Sequence, residues 1–175
     1  NLATTVVALG YWGNRDWWRN NLRLWRERAD DAPFRWMLFD LGHGWPSLAY
    51  DHIGVSLAWT GPGLPIADAL ENEAFRVLLA NQAAELLTTV LDPPTALARL
   101  DSIFARIEPV IAEQYARWCS RPGADWHASV ARAWDFVLNR HDIFALQVMG
   151  HLALDGRAEL TIEADPPGSG TIRLT

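Results

Sequence analysis

The chain has 175 residues, enough for one domain or a large part of one, and half of them are apolar, which excludes a disordered segment. Its net charge of −6 argues against nucleic acid as the main partner, since such binders carry a basic excess. All 15 basic residues are arginine and lysine is absent, ten residues are tryptophan, and the single cysteine, Cys119, can form no internal disulfide.

Residues 2–11 form an apolar run that reads as the end of a buried helix, closed by Gly10 or Gly13. Residues 13–21 are too polar and aromatic for a regular element and read as a structured loop. Leu22 and Leu24 then alternate with Arg23 and Trp25, a period-two strand pattern. Residues 29–33 read as a turn, and residues 34–39 as a second, largely buried strand, so that the two make a hairpin. Asp40-Leu41-Gly42 closes it, and a Gly/His/Pro loop follows through Trp45 and Pro46, with His52 expected on the next loop in an exposed position.

From Asn72 the texture becomes helical. Ala74, Val77, Leu78, Ala84, Leu87 and Val90 recur at helical spacing, and Asp92-Pro93-Pro94-Thr95 punctuates, with proline suited to a first turn. Leu97, Leu100, Ile103, Phe104, Ile107 and Ile111 form an amphipathic stripe, with Pro109 as a kink. Arg121-Pro122-Gly123 is a break, and Asp125 caps a helix that holds Val130, Ala133, Trp134, Val137 and Leu138. Residues 143–152 form a further apolar segment, residues 157–164 alternate as a strand, and Pro166-Pro167-Gly168 turns into 171–174. The chain is thus α+β and mainly helical. No uncharged apolar run reaches the roughly 18 residues of a membrane span.

Chemistry concentrates in the first quarter. Asp16 and Asn21 stand five residues apart on a loop, a hairpin follows, and Asp40-Leu41-Gly42 ends it. Phosphoryl transfer needs one carboxylate to orient the attacking hydroxyl, and an amide oxygen plus a second carboxylate to hold a divalent ion. Asp-x-x-x-x-Asn, a hairpin, then Asp-Leu-Gly supplies those groups in the order protein kinases use. Hard oxygen ligands suit Mg²⁺ or Mn²⁺.

The surrounding words are more specific. Tyr11-Trp12-Gly13-Asn14-Arg15-Asp16-Trp17, Asn20-Asn21, Arg23-Leu24-Trp25-Arg26 and Phe34-Arg35-Trp36-Met37-Leu38-Phe39-Asp40-Leu41 resemble the core of the CotH family, atypical protein kinases named for a spore-coat protein. Arg76, Pro94, Trp118, Trp126 and the closing Gly168-Ser169-Gly170-Thr171-Ile172 are similar to later parts of that family. The resemblance implies a protein-kinase-like C-terminal lobe with a catalytic-loop β-hairpin and a short C-terminal strand pair. Residues 1–175 would be a partial domain with a terminal β segment at 157–175. It implies ATP and a protein Ser/Thr substrate as partners, and Mg²⁺ or Mn²⁺ as the ion. By position, Asp16 matches the catalytic aspartate, and Asn21 and Asp40 match the metal ligands. Asn14 and Asn20 fall on the cofactor side, Asn14 also as a residue that fixes the loop. Gly42 stands where the family often has a second aspartate. A bacterial surface, secreted or spore-associated setting is implied by the same resemblance.

A kinase also needs a lysine on an N-terminal lobe strand to grip the α- and β-phosphates. With no lysine in the chain and Asn1 as its first residue, the expectation is a C-terminal lobe cut from a longer protein. Two rivals stand beside this reading. One is a non-catalytic, pseudokinase-like scaffold. The other is a hydrolase with Asp16 and Asp40 as carboxylates about 5–9.5 Å apart. Most tryptophans read as packing residues, with Trp17 and Trp18 as exceptions beside the loop. His43 and His52 read as exposed loop residues, with a substrate-side role as the alternative, and His127, His141 and His151 lack ligand spacing. Cys119 reads as a small buried apolar residue. Arg15, Arg19, Arg23 and Arg26 read either as phosphate or acidic-substrate contacts or as partners of nearby carboxylates.

Overall fold

The structure, a computed structural model, describes residues 1–17, 20–45, 47–59, 66–118, 126–158, 166 and 169–170. It is mainly helical, with a single two-stranded antiparallel sheet among the described residues. Its elements in chain order are α1 (Leu2–Trp12), β1 (Leu24–Trp25), β2 (Arg35–Trp36), α2 (His52–Leu57), α3 (Ile66–Glu71), α4 (Glu73–Thr88), α5 (Pro93–Trp118) and α6 (Trp126–Leu152).

Helix α1 is apolar on every side, so it must be enclosed. Ala3, Val6, Val7, Leu9 and Tyr11 are all buried, and the helix packs against α2, α4 and α6. Gly10 allows the approach to α6: a Cβ there would lie 3.0 Å from the Phe144 ring. The helix ends at Gly13, whose φ of 62° is left-handed, a conformation that only glycine adopts without cost. Of the two expected stops, Gly13 is therefore the cap.

The hairpin is smaller than its sequence pattern. Leu24 pairs with Trp36 and Trp25 with Arg35, and each strand has two residues. The Ala32 N–H to Ala29 carbonyl bond makes the expected turn. The expected burial of 34–39 is corrected: Phe34 is 61% exposed, and Met37, Leu38 and Phe39 are also exposed. Within the run only Trp36 packs against the core, half-buried, among the described residues.

Asn72 caps α4 by accepting the Phe75 N–H, and α5 opens on Pro93 as the first-turn preference predicts. The buried face of α4 is Leu79, Ala83 and Leu87, one step round from Val77 and Leu78, which are exposed. In α5 only Ala96 is buried, Ile103 and Ile107 are exposed, and the helix runs on through Pro109. The two apolar segments expected at 130–138 and 143–152 are one continuous helix, α6. Its core face runs Ala133, Phe136, Val137, Arg140, Phe144, Val148 and Leu152, spaced three or four residues apart.

Helices α2 and α3 were not anticipated. Arg157 and Ala158 carry no strand. The remainder of the expected C-terminal strand pair lies outside the described residues, apart from Pro166, Ser169 and Gly170. The break at 121–123, the Asp125 cap, Trp18, Arg19 and Cys119 lie outside them too. Among the described residues no helix is long and apolar enough to cross a membrane.

Candidate active site

The last four carbonyls of a helix have no partner within it, so the end of α1 must find four others. The Asn14 N–H donates to the Leu9 carbonyl at 3.1 Å and the Gly13 N–H to the Gly10 carbonyl at 3.2 Å, the paired bonds of a Schellman turn. The Tyr11 carbonyl accepts from Arg140 Nε at 2.9 Å, and Arg140 Nη2 adds a second bond to the Gly10 carbonyl at 3.0 Å. The Trp12 carbonyl accepts the Trp45 N–H at 2.8 Å. Three of the four carbonyls thus accept from residues distant in sequence, two from Arg140 on α6 and one from Trp45, just beyond Asp40-Leu41-Gly42.

That anchored end releases the chain into the loop with the candidate residues. Asn14 is buried, and its Oδ1 accepts the Asp16 N–H at 3.0 Å. Its Nδ2 donates to the Asp40 carbonyl at 3.2 Å. The Asp16 carbonyl accepts the Asn20 and Asn21 N–H groups at 3.2 and 3.3 Å. The Asp16 carboxylate accepts Asn20 Nδ2 at 2.7 Å on one oxygen and Asn21 Nδ2 at 3.5 Å on the other. In both amides the nitrogen, not the oxygen, is the atom that bonds Asp16. Asp40 is exposed, and among the described residues its carboxylate accepts no hydrogen bond. Its φ is 50°, a left-handed conformation that aspartate tolerates better than most side chains.

Asp16, Asn20 and Asn21 therefore share one carboxylate, and Asn14 joins them to the Asp40 backbone. The antiparallel hairpin carries the chain back toward the loop, and the contacts that then tie the two segments are the Asn14 side chain, the Arg15 N–H to His43 carbonyl bond at 3.4 Å, and the Trp45 N–H.

Trp17, next to Asp16, is 2% exposed. Its indole N–H donates to His52 Nε2, and the two rings stack with centroids 5.7 Å apart. To accept at Nε2, His52 must be neutral with its proton on Nδ1. Burial pushes the His52 pKa down to about 3, and the Arg140 charge pushes the same way while Asp51 opposes them. The expected exposed loop position of His52 is corrected: it is buried in the first turn of α2. Asp51 caps that helix through the Gly54 N–H and accepts from His151 Nε2 at 2.7 Å. His151, set aside on spacing, thus ties the end of α6 to α2.

Trp12, Trp45 and Phe136 form a stack, with 5.4 Å between the first two rings and 5.8 Å between the last two. Trp12, Asn14, Leu41, Gly44, Trp45 and Leu100 line a pocket of about 320 Å³ beside Asp40. The loop arginines make no ion pair among the described residues. The Arg23 guanidinium lies 4.5 Å over Phe39, and that of Arg26 lies 5.1 Å over Phe34.

Sequence reasoning missed Arg140, His52 and Asp51. For Arg140 a signal existed: it falls in phase with Ala133, Phe136, Val137 and Phe144 on the core stripe of α6. No cluster of three or more His, Cys, Asp and Glu side chains occurs among the described residues. The side-chain oxygens of Asp16, Asn21 and Asp40 are hard donors, the type that suits Mg²⁺ or Mn²⁺.

A family model described as CotH kinase protein matches residues 2–144. No curated protein and no solved structure matches the chain.

Proposed function

The chain belongs to the CotH kinase family, and on that premise we propose that it carries the catalytic and metal-holding part of a site that transfers the ATP γ-phosphoryl group to Ser or Thr of a protein. The observation that carries the reading is the shared hydrogen bonding of Asp16, Asn20 and Asn21, joined through Asn14 to Asp40. In this reading the domain is a kinase-like C-terminal lobe.

Asp16 orients the substrate hydroxyl and accepts its proton as the hydroxyl oxygen bonds to the γ-phosphorus. The bond from that phosphorus to the bridging oxygen breaks, and ADP leaves. The two asparagine amides hold the Asp16 carboxylate in one orientation. Asn21, through its amide oxygen, and Asp40, through its exposed carboxylate, would hold the divalent ion. When bound, that ion offsets the charge of the phosphates. Asn14 keeps the two loops in register, and Asn20 stands on the cofactor side. The chain has no lysine to grip the α- and β-phosphates. We assign that task to a lobe outside these residues, so the 175 residues alone bind ATP weakly.

The test is phosphotransfer by the full-length protein with Asp16→Asn and Asp40→Asn. Loss of a positioned base is expected to lower kcat by about 10²–10⁴-fold in the first variant. The second should weaken Mn²⁺-dependent nucleotide binding. Undiminished activity in both variants sinks the assignment. Absence of metal-dependent nucleotide binding in the unaltered full-length protein favours the non-catalytic scaffold.

A further inference from the structure

We propose that Arg140 is a positioning residue of this site, a single guanidinium that sets the catalytic loop and the segment after Asp40 at a fixed spacing. The proposal rests on the phosphoryl-transfer reading above. Arg140 lies in the middle of α6 and is fully buried, with 0% exposure. It makes no ion pair among the described residues. The Asp51 carboxylate acts on it only at a distance. A buried charge without a direct ion pair is costly, so its hydrogen bonds must compensate.

Those contacts converge on the candidate site. Nε and Nη2 donate to the Tyr11 and Gly10 carbonyls, the last turn of the helix that opens into Asn14 and Asp16. Nη1 donates to the Leu48 carbonyl, on the segment that follows Asp40-Leu41-Gly42. One planar group therefore bridges the two chain segments that bear the candidate catalytic and metal-holding residues. The C-terminal end of α1 also favours a cation electrostatically. The rings of Phe136 and Phe144, centred 5.9 and 5.4 Å from the guanidinium carbon, fix its plane. The task needs three donors in fixed directions, which guanidinium has and ammonium lacks.

The test uses the full-length protein and Arg140→Lys, which keeps the charge but not the fork. A displaced loop is expected to lower kcat by about 10- to 100-fold while KM for ATP and for the protein substrate stays within about twofold. Amide hydrogen exchange supplies a readout independent of turnover. Exchange should accelerate at Asp16, Asn20, Asn21 and Trp45, while protection at Leu79, Ala83 and Leu87 in α4 stays as in the unaltered protein. Wild-type kcat in Arg140→Lys overturns the proposal, as does an equal loss of protection in α4 and the loop. If Arg140→Lys does not fold, Arg140→Gln is read in the same way, and failure of both to fold assigns Arg140 to stability alone and overturns it. If the unaltered protein transfers no phosphoryl group, the kinase reading fails by itself. The exchange pattern then judges the clamp: local loosening sustains it, and its absence sinks it.

Discussion

The loop that bears Asp16 and the hairpin that follows it are adjacent in sequence and held in opposite ways. The loop is fastened from below: Asn14 and Trp17 are buried, and each makes a side-chain bond to a group far along the chain. The hairpin is fastened by backbone bonds over two residues a strand and by the Asn1 side chain on the Trp36 backbone; Trp36 packs against the core, while Phe34, Met37, Leu38 and Phe39 face outward. The sequence pattern points to the hairpin as the device that returns Asp40 to the loop. The structure adds polar ties to that hairpin: the Trp45 N–H, and two buried groups, the Asn14 amide and the Arg140 fork. Buried polar groups are satisfied or expensive, so the Asn14 and Arg140 bonds fix a position more firmly than an exposed strand pair can.

The sharpest way to test that difference is acid. His52 is neutral in the folded chain with a pKa of about 3, against an ordinary value of 6.5. Between those values the unfolded chain takes up a proton that the folded chain does not. Stability from this group is therefore intact above about pH 6.5 and lost as pH falls toward 3. At about 1.4 kcal/mol per unit, the full loss is on the order of 5 kcal/mol. Other carboxylates titrate in the same range, so the check is a difference. His52→Gln keeps an acceptor for the Trp17 indole and removes the titration. Its denaturant midpoint should fall less steeply from pH 6.5 to 4 than that of the unaltered chain. Parallel pH profiles would show that the loop is not anchored on a neutral His52.

Asn14 gives the next largest effect. Asn14→Ala leaves the Asp16 N–H and the Asp40 carbonyl without their partner, at roughly 1–3 kcal/mol for each group that stays buried. A loss of about 2 kcal/mol is expected in urea unfolding. Asn14→Asp should retain the bond from the Asp16 N–H while losing the donor to Asp40. If both variants match the unaltered chain, the two loops are held together by something other than this amide.

Long helices were legible where local rules act alone. Pro93 at a first turn, Asn72 as a cap and Gly13 as a stop are chemistry of a few adjacent residues, and each places an element end. Which face turns inward was less legible. In α4 the buried set is Leu79, Ala83 and Leu87, although Val77 and Leu78 are equally apolar. The choice is made by α1 and α6, which no local pattern reveals. The six-residue α2 and α3 are too short to show a period. In the site, Asp16, Asn21 and Asp40 were found from spacing because kinase chemistry fixes their order. Arg140 and His52 were missed because arginine and histidine are usually surface residues, and only tertiary carbonyls and an indole explain their burial.

The smallest effect is the most direct check on the hairpin. Phe34 is 61% exposed, and its ring meets the Arg26 guanidinium at 5.1 Å. Exposed cation–π contacts contribute about 0.5–1 kcal/mol, and a surface change away from packing usually stays within about 0.5 kcal/mol. Phe34→Ser should therefore change the unfolding free energy of the 175-residue chain, measured in urea, by no more than that. A loss of 2 kcal/mol or more would mean that the ring is packed in solution and that the hairpin, like the loop, is fastened from below. The contrast between the two regions would then fall, and with it the reason to credit Asn14 and Arg140 over the strands for the position of Asp40.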